Sequence, residues 1–205
     1  MDVNLQPGDI FLTRGTGLLS RLIRVCTRSF GEKRTKVNHV GIVVEGGGMK
    51  EAVVVEALSK VKRHRLWIQD GPPNTGLVAV YRAKNIRPEE MQVIVAEAEE
   101  QVGKPYGHFK IVMHFLDWCL TGVYFFRRFA RSEKDPICSW LVACAYGAAY
   151  YDFGVPNEAA DPDDIWDFVR RRTDYYEEIV HLGPLTGFVG SKKDLPGVRE
   201  SGIRS

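Results

Sequence analysis

Three side chains scattered along a 205-residue chain have the chemistry of an activated thiol: Cys138, His39 and Glu56. A cysteine with its ordinary pKa of about 8.5 is only a few per cent ionised at neutral pH, so a nucleophilic thiol needs help. Cys138 can find part of it in its own surroundings. The stretch Asp135-Pro136-Ile137-Cys138-Ser139-Trp140-Leu141-Val142-Ala143 reads as a loop that stops at Pro136 and opens a helix with Cys138 in its first turn, since proline suits a helix entrance and not an interior. Leu141, Val142 and Ala145 follow Cys138 at the spacing of a buried helical face. A thiol placed there meets the unpaired amides and the positive end of the helix dipole, both of which favour thiolate. The same position also suits a small buried hydrophobe. What separates the two readings is whether the chain supplies a base.

The base would come from an upstream hairpin. Asn38-His39-Val40-Gly41-Ile42-Val43-Val44 has the apolar, β-branched content of a strand, and Val53-Val54-Val55-Glu56-Ala57-Leu58 reads as its return. Residues 45–50, with glycines at 46, 47 and 48, are expected to form the loop between them. His39 and Glu56 are polar residues inside these apolar runs, and a buried polar group without a partner is costly. They can answer each other. If His39 faces Leu58 across the ladder, Glu56 faces Gly41, and His39 and Glu56 are diagonal neighbours on one face. Placing them directly opposite also keeps them together, whereas a slip of one residue separates them. In such a set the imidazole takes the thiol proton and the carboxylate fixes its tautomer. His39 could instead be structural and Glu56 a solvated edge residue. Glu45 and Glu51, both in the loop, compete for the carboxylate's role.

The elements that must position these residues are legible in outline. Ile10 to Thr13 reads as a strand after a Pro7-Gly8-Asp9 turn, and Leu18 to Arg28 as an amphipathic helix. Lys62-Arg63-His64-Arg65 is taken as a solvated basic face, and residues 71–76 as a turn cluster. Leu77 to Tyr81 is a further strand. Arg87-Pro88-Glu89-Glu90 opens a helix that runs to about Val102. Ala160 to Asp164 is a capped entrance to a short helix, and Tyr175 to Leu182 a last strand. Residues 183–205, rich in Gly, Ser, Lys and Pro, are expected to be a weakly packed tail behind a single domain of residues 1–182.

Composition narrows the classes. Hydrophobic content is 44% and charged content 26%, the balance of a globular chain with a real core. A net charge of +2 makes no electrostatic case for nucleic acid. Four cysteines (Cys26, Cys119, Cys138, Cys144) include no CxxC pair, and none of the other histidines, His64, His108, His114 and His181, has a partner at metal-ligand spacing, so neither metal nor cofactor is expected. The start of the chain lacks a basic and then apolar signal, which with the cysteine usage suggests a reduced, cytoplasmic setting. Residues 111–126 are apolar but interrupted by Asp117, too short for a membrane span. They fit a buried helix, with interfacial membrane contact through residues 118–131 as the alternative.

Five short motifs carry a resemblance. Leu5-Gln6-Pro7-Gly8-Asp9-Ile10, Asn38-His39-Val40-Gly41-Ile42, Val54-Val55-Glu56-Ala57, Gly103-Lys104-Pro105-Tyr106 and Ile137-Cys138-Ser139, in that order, resemble the permuted NlpC/P60 papain-like hydrolases of the YiiX/YebB-like branch. Papain-like enzymes usually carry Cys before His; the permuted branch reverses this, as here. The resemblance spans about residues 5–170. It implies an α+β, circularly permuted papain-like fold with a small antiparallel sheet packed on the helix that carries the cysteine. It also implies Cys138 as nucleophile, His39 as base and Glu56 as orienting residue, in a cysteine amidase or peptidase acting on a small peptide or peptidoglycan-derived amide. Acyl transfer or thioester hydrolysis on lipid acyl groups is the alternative. Trp140 and Gly107 stand where polar and acidic residues are usual, and Leu120 to Lys134 is long, aromatic and basic. These departures bear on substrate choice, with Tyr106 and Trp140 as candidate substrate contacts; Tyr106 also suits the core.

Overall fold

The structure, a computed structural model, describes residues 3–15, 37–66, 75–105 and 137–181. Eight strands and three helices fall within them: β1 (Asn4–Leu5), β2 (Ile10–Gly15), β3 (His39–Glu45), β4 (Gly47–Gly48), β5 (Val53–Ala57), β6 (Val61–Arg65), β7 (Thr75–Ala83), α1 (Pro88–Glu100), α2 (Cys138–Ala148), α3 (Pro162–Arg171) and β8 (Tyr176–His181). Six strands make one antiparallel sheet in the order β6-β5-β3-β2-β7-β8, and β1 pairs with β4 in a small second ladder. Helix α2 packs on β3 and β5 and against α1.

Alternation in the central strands divides the interior in two. Val40, Ile42 and Val44 of β3 and Val55 and Ala57 of β5 join Leu141, Val142 and Ala145 of α2 in the main core. Phe11, Val43 and Val54 form a second apolar cluster on the other face. The two central strands pair Ile42 with Val55 and Val43 with Val54, and a bulge follows before Glu45. This is the register in which Glu56 falls opposite Gly41. The glycine is required there. A Cβ at Gly41 would run into the ring of Phe11, its ladder partner on β2, and would lie 3.0 Å from the Cβ of Glu56.

The Pro7-Gly8-Asp9 turn ties the sheet to the helices. Gly8 has φ +87°, a left-handed conformation that suits glycine, and packs closely against Met91 of α1. Asp9 is fully buried and takes both arms of the Arg82 guanidinium on β7, at 2.8 and 2.7 Å. The hydroxyl of Tyr146, buried on α2, donates to the Gly8 carbonyl at 2.7 Å.

Two expectations need correction. The loop over residues 45–50 contains β4, whose glycines pair with Leu5 and Asn4. The basic run is not simply a solvated face: Val61 to Arg65 is an edge strand paired with β5 along its length. Lys62, Arg63 and Arg65 are exposed, as charged residues on a sheet edge commonly are, but His64 is half-buried. The helix expected at Leu18 to Arg28, the apolar segment 111–126, residues 118–131, Tyr106 and the tail 183–205 lie outside the described residues, as do Cys26, Cys119, His108 and His114.

Candidate functional site

Cys138 is the first residue of α2, with Ile137 as its N-cap in extended conformation. The Ile137 side chain, an apolar one, makes no capping hydrogen bond. The first amides of the helix lack intrahelical partners, as at every helix start, so the positive end of the dipole faces whatever sits there. Cys138 is a free thiol, 5% exposed. Ser139, the next residue, is wholly buried, and its hydroxyl donates to the Ala160 carbonyl at 2.7 Å, locking the start of α2 to the chain just ahead of α3.

His39 begins β3, at the end of the strand nearest the thiol. Its Nε2 bonds Glu56 Oε2, and the ring also hydrogen-bonds Cys138. Because Nε2 serves Glu56, Nδ1 is the nitrogen available to sulfur. The carboxylate can only accept, so Nε2 carries a proton and the tautomer is set. Glu56 is 9% exposed, on the same sheet face as His39 by the alternation of β3 and β5. Glu45, a competing carboxylate, is drawn to Arg63 instead.

The electrostatics of the three are coupled. Burial alone would drive His39 towards the neutral form, but the negative charges of Cys138 and Glu56 outweigh it and raise its pKa to about 10. Burial likewise opposes ionisation of Glu56, yet His39, with His64 behind it, lowers its pKa to about 2. Burial would push the Cys138 thiol up; the His39 charge and hydrogen bond, with backbone amides of Val40 and Ser139, bring it down instead. The resting state this favours is a thiolate beside an imidazolium, with a carboxylate behind.

The structure therefore brings Cys138, His39 and Glu56 together. Trp140, expected from the sequence as a substrate contact, is buried on α2, 7% exposed. Reasoning from sequence missed His64. Its Nε2 lies 2.7 Å from Glu56 Oε1, off an ideal hydrogen-bond direction, so the contact is a charge pair more than a directed bond. The detectable signal was positional: pairing β5 with β6 places His64 diagonally from Glu56 on the same face. On β2, Thr13 stands directly opposite His39, and its buried Oγ1 has no hydrogen-bond partner among the described residues. Among the described residues no three His, Cys, Asp or Glu side chains are grouped so as to hold a metal ion, and no helix is long and apolar enough to cross a membrane.

An antiparallel sheet bearing an imidazole and a carboxylate, packed on a helix that begins with a thiol, defines the papain-like class, here with the sheet ahead of the helix in the chain. The family model for the permuted papain-like amidase enzymes, YaeF/YiiX, C92 family, matches residues 4–117, more than half of the chain, and the chain belongs to that family. Among solved structures, the crystal structure of "metalloprotein yiiX" from Escherichia coli O157:H7 is similar at 22% identity, covering 86% of this chain and 89% of that one with a TM-score of 0.47. No curated protein matches the chain.

Proposed function

We propose that this protein hydrolyses an amide bond through a thioester on Cys138. The observation that carries the reading is the placement of one imidazole between a buried thiol at a helix start and a buried carboxylate. The Cys138 thiolate attacks the carbonyl carbon, and the C–S bond forms as the carbonyl oxygen takes up charge. The backbone amide of Cys138 lies at the positive end of α2 and is the donor we assign to that oxyanion. The C–N bond then breaks, with the His39 Nδ1 proton passing to the departing amine. Water attacks the thioester, giving its proton to His39, and the carboxylic acid product leaves with the thiolate restored. Glu56 holds the ring in place and supports its charge through both halves.

A small peptide or a peptidoglycan-derived amide is the substrate class this chemistry suits. The test is a panel of short peptide amides run beside a panel of lipid esters and thioesters, with Cys138→Ser as the control. Cys138-dependent release of amine, together with an acyl adduct located on Cys138 by mass spectrometry, is the expected result. Cleavage of the lipid panel alone, or amine release that survives Cys138→Ser, overturns the proposal.

A further inference from the structure

His64 lies outside the three residues of the proposed chemistry, yet it occupies the far oxygen of the same carboxylate. It sits on the edge strand β6 with its side chain 21% exposed. The ladder sets Lys62 opposite Glu56 and His64 opposite Val54, so the alternation of the strand delivers His64 to the face of Glu56. The result is a row across three strands: His39 on β3, Glu56 on β5 and His64 on β6, with Oε2 turned to the first imidazole and Oε1 to the second.

The protonation of His64 follows from its two contacts. Nδ1 lies 2.8 Å from the carbonyl oxygen of Arg65, which can only accept, so Nδ1 carries a proton. A bare lone pair on Nε2, 2.7 Å from a carboxylate oxygen, would be repelled, so Nε2 carries one too. Held in this way the ring is an imidazolium. The groups that face it are Glu56 from β5 and Lys62 from its own strand, with His39 of β3 beyond the carboxylate; Glu56 favours the charged form, while burial and Lys62 oppose it.

We infer that His64 is a positioning residue that grips the second oxygen of Glu56 and places a positive charge behind it, leaving thiolate, imidazolium, carboxylate and imidazolium in electrical balance. This rests on the reading of Cys138 as the nucleophile. Removing the cation leaves the remaining set with a net negative charge, so each member binds its proton more tightly. The thiol pKa therefore rises, and thiolate is lost at a higher pH. The freed Oε1 also lets the carboxylate turn away from His39.

The experiment is alkylation of Cys138 by iodoacetamide as a function of pH, followed on the peptide that carries it, for the wild type, His64→Gln and His64→Lys. His64→Gln is expected to keep the plateau rate at high pH while its acid limb moves up by about one pH unit, a roughly tenfold slower reaction on that limb. His64→Lys, which returns a charge, is expected to recover most of the shift. A merely structural loss would not restore the limb with lysine. Superimposable profiles for wild type and His64→Gln, or a His64→Lys limb displaced as far as that of His64→Gln, overturn the inference and leave the nucleophile reading standing. A wild-type profile equal to that of an ordinary thiol overturns the nucleophile reading, and the inference with it.

Discussion

Two helix entrances lie side by side in this fold and are built in opposite ways. At α3, Asp161 caps the amides of Asp163 and Asp164 at 2.9 Å each, and the Asp164 carboxylate reaches back to the Asp161 amide at 3.1 Å, a reciprocal capping box with Pro162 in the first turn. At α2 the N-cap is Ile137, whose side chain offers the first-turn amides no acceptor. The Ser139 hydroxyl, which could have bonded locally, is instead directed to the Ala160 carbonyl immediately before the capped entrance. One helix uses acidic side chains to satisfy its own backbone. The other keeps its positive end for a thiolate, and the satisfied helix holds it in place.

The largest test of that contrast is whether the charge at α2 is real. The thiolate–imidazolium pair exists above the lowered pKa of Cys138 and below the His39 value of about 10. Alkylation of Cys138 should thus persist well below the ordinary thiol range, fall on the acid side as the thiolate is protonated, and change again only as His39 loses its proton near pH 10. In His39→Ala the buried thiol loses its main source of positive charge and returns to at least its ordinary pKa. Its alkylation near pH 6 should fall roughly a hundredfold. Equal rates in the two proteins at that pH would show that the helix end activates sulfur without the imidazole, and would leave His39 without its role.

The next effect falls on the sheet that presents the imidazole. Gly41 leaves room for the Phe11 ring and for the Cβ of Glu56. Gly41→Ala should destabilise the fold by about 1–3 kcal/mol through overpacking, read from the denaturant midpoint, and should slow alkylation by displacing Glu56. Unchanged stability would mean that Phe11 moves aside freely. Asp161→Ala sharpens the contrast from the other side. Loss of the cap should cost about 1 kcal/mol of stability, with the pH profile of Cys138 unmoved, because the satisfied entrance supports the site mechanically and not electrically. A shifted profile would mean that the two ends share one electrostatic field.

How much of this was readable in the sequence depended on whether a residue disagreed with its surroundings. His39 and Glu56 could be paired because each is a polar group inside an apolar, β-branched run; the sequence left the register open between diagonal and directly opposite, and the diagonal one is observed. The α3 entrance was legible because Asp161, Pro162 and Asp164 occupy the positions a capped start demands. His64 was hidden for the opposite reason. Lys62-Arg63-His64-Arg65 is polar throughout, so strand alternation leaves no hydrophobic trace, and the one side chain turned to Glu56 looks like its neighbours. The β4 strand was hidden because two glycines carry no side-chain pattern at all. Ser139 was legible as a residue of a helix start, but its partner Ala160 lies 21 residues away and only the fold brings them together.

The smallest test converts one entrance towards the other. Ile137 is 6% exposed at the N-cap of α2, where a hydroxyl side chain would ordinarily be favoured. Ile137→Thr keeps the β-branch and offers an oxygen to the first-turn amides. A cap is worth about 1 kcal/mol, and the buried methylene and methyl groups lost are worth about the same, so stability should change little. The chemistry should not stay constant. An amide that bonds the threonine oxygen is less available to sulfur, so the thiolate is less favoured and alkylation near pH 6 should slow by about two- to threefold. The thermal midpoint and the alkylation rate, measured on the same preparation, separate the two effects. A more stable protein with an unchanged rate would mean that His39 supplies nearly all of the activation. A slower rate at equal stability would mean that the missing cap is part of how the thiol is made reactive.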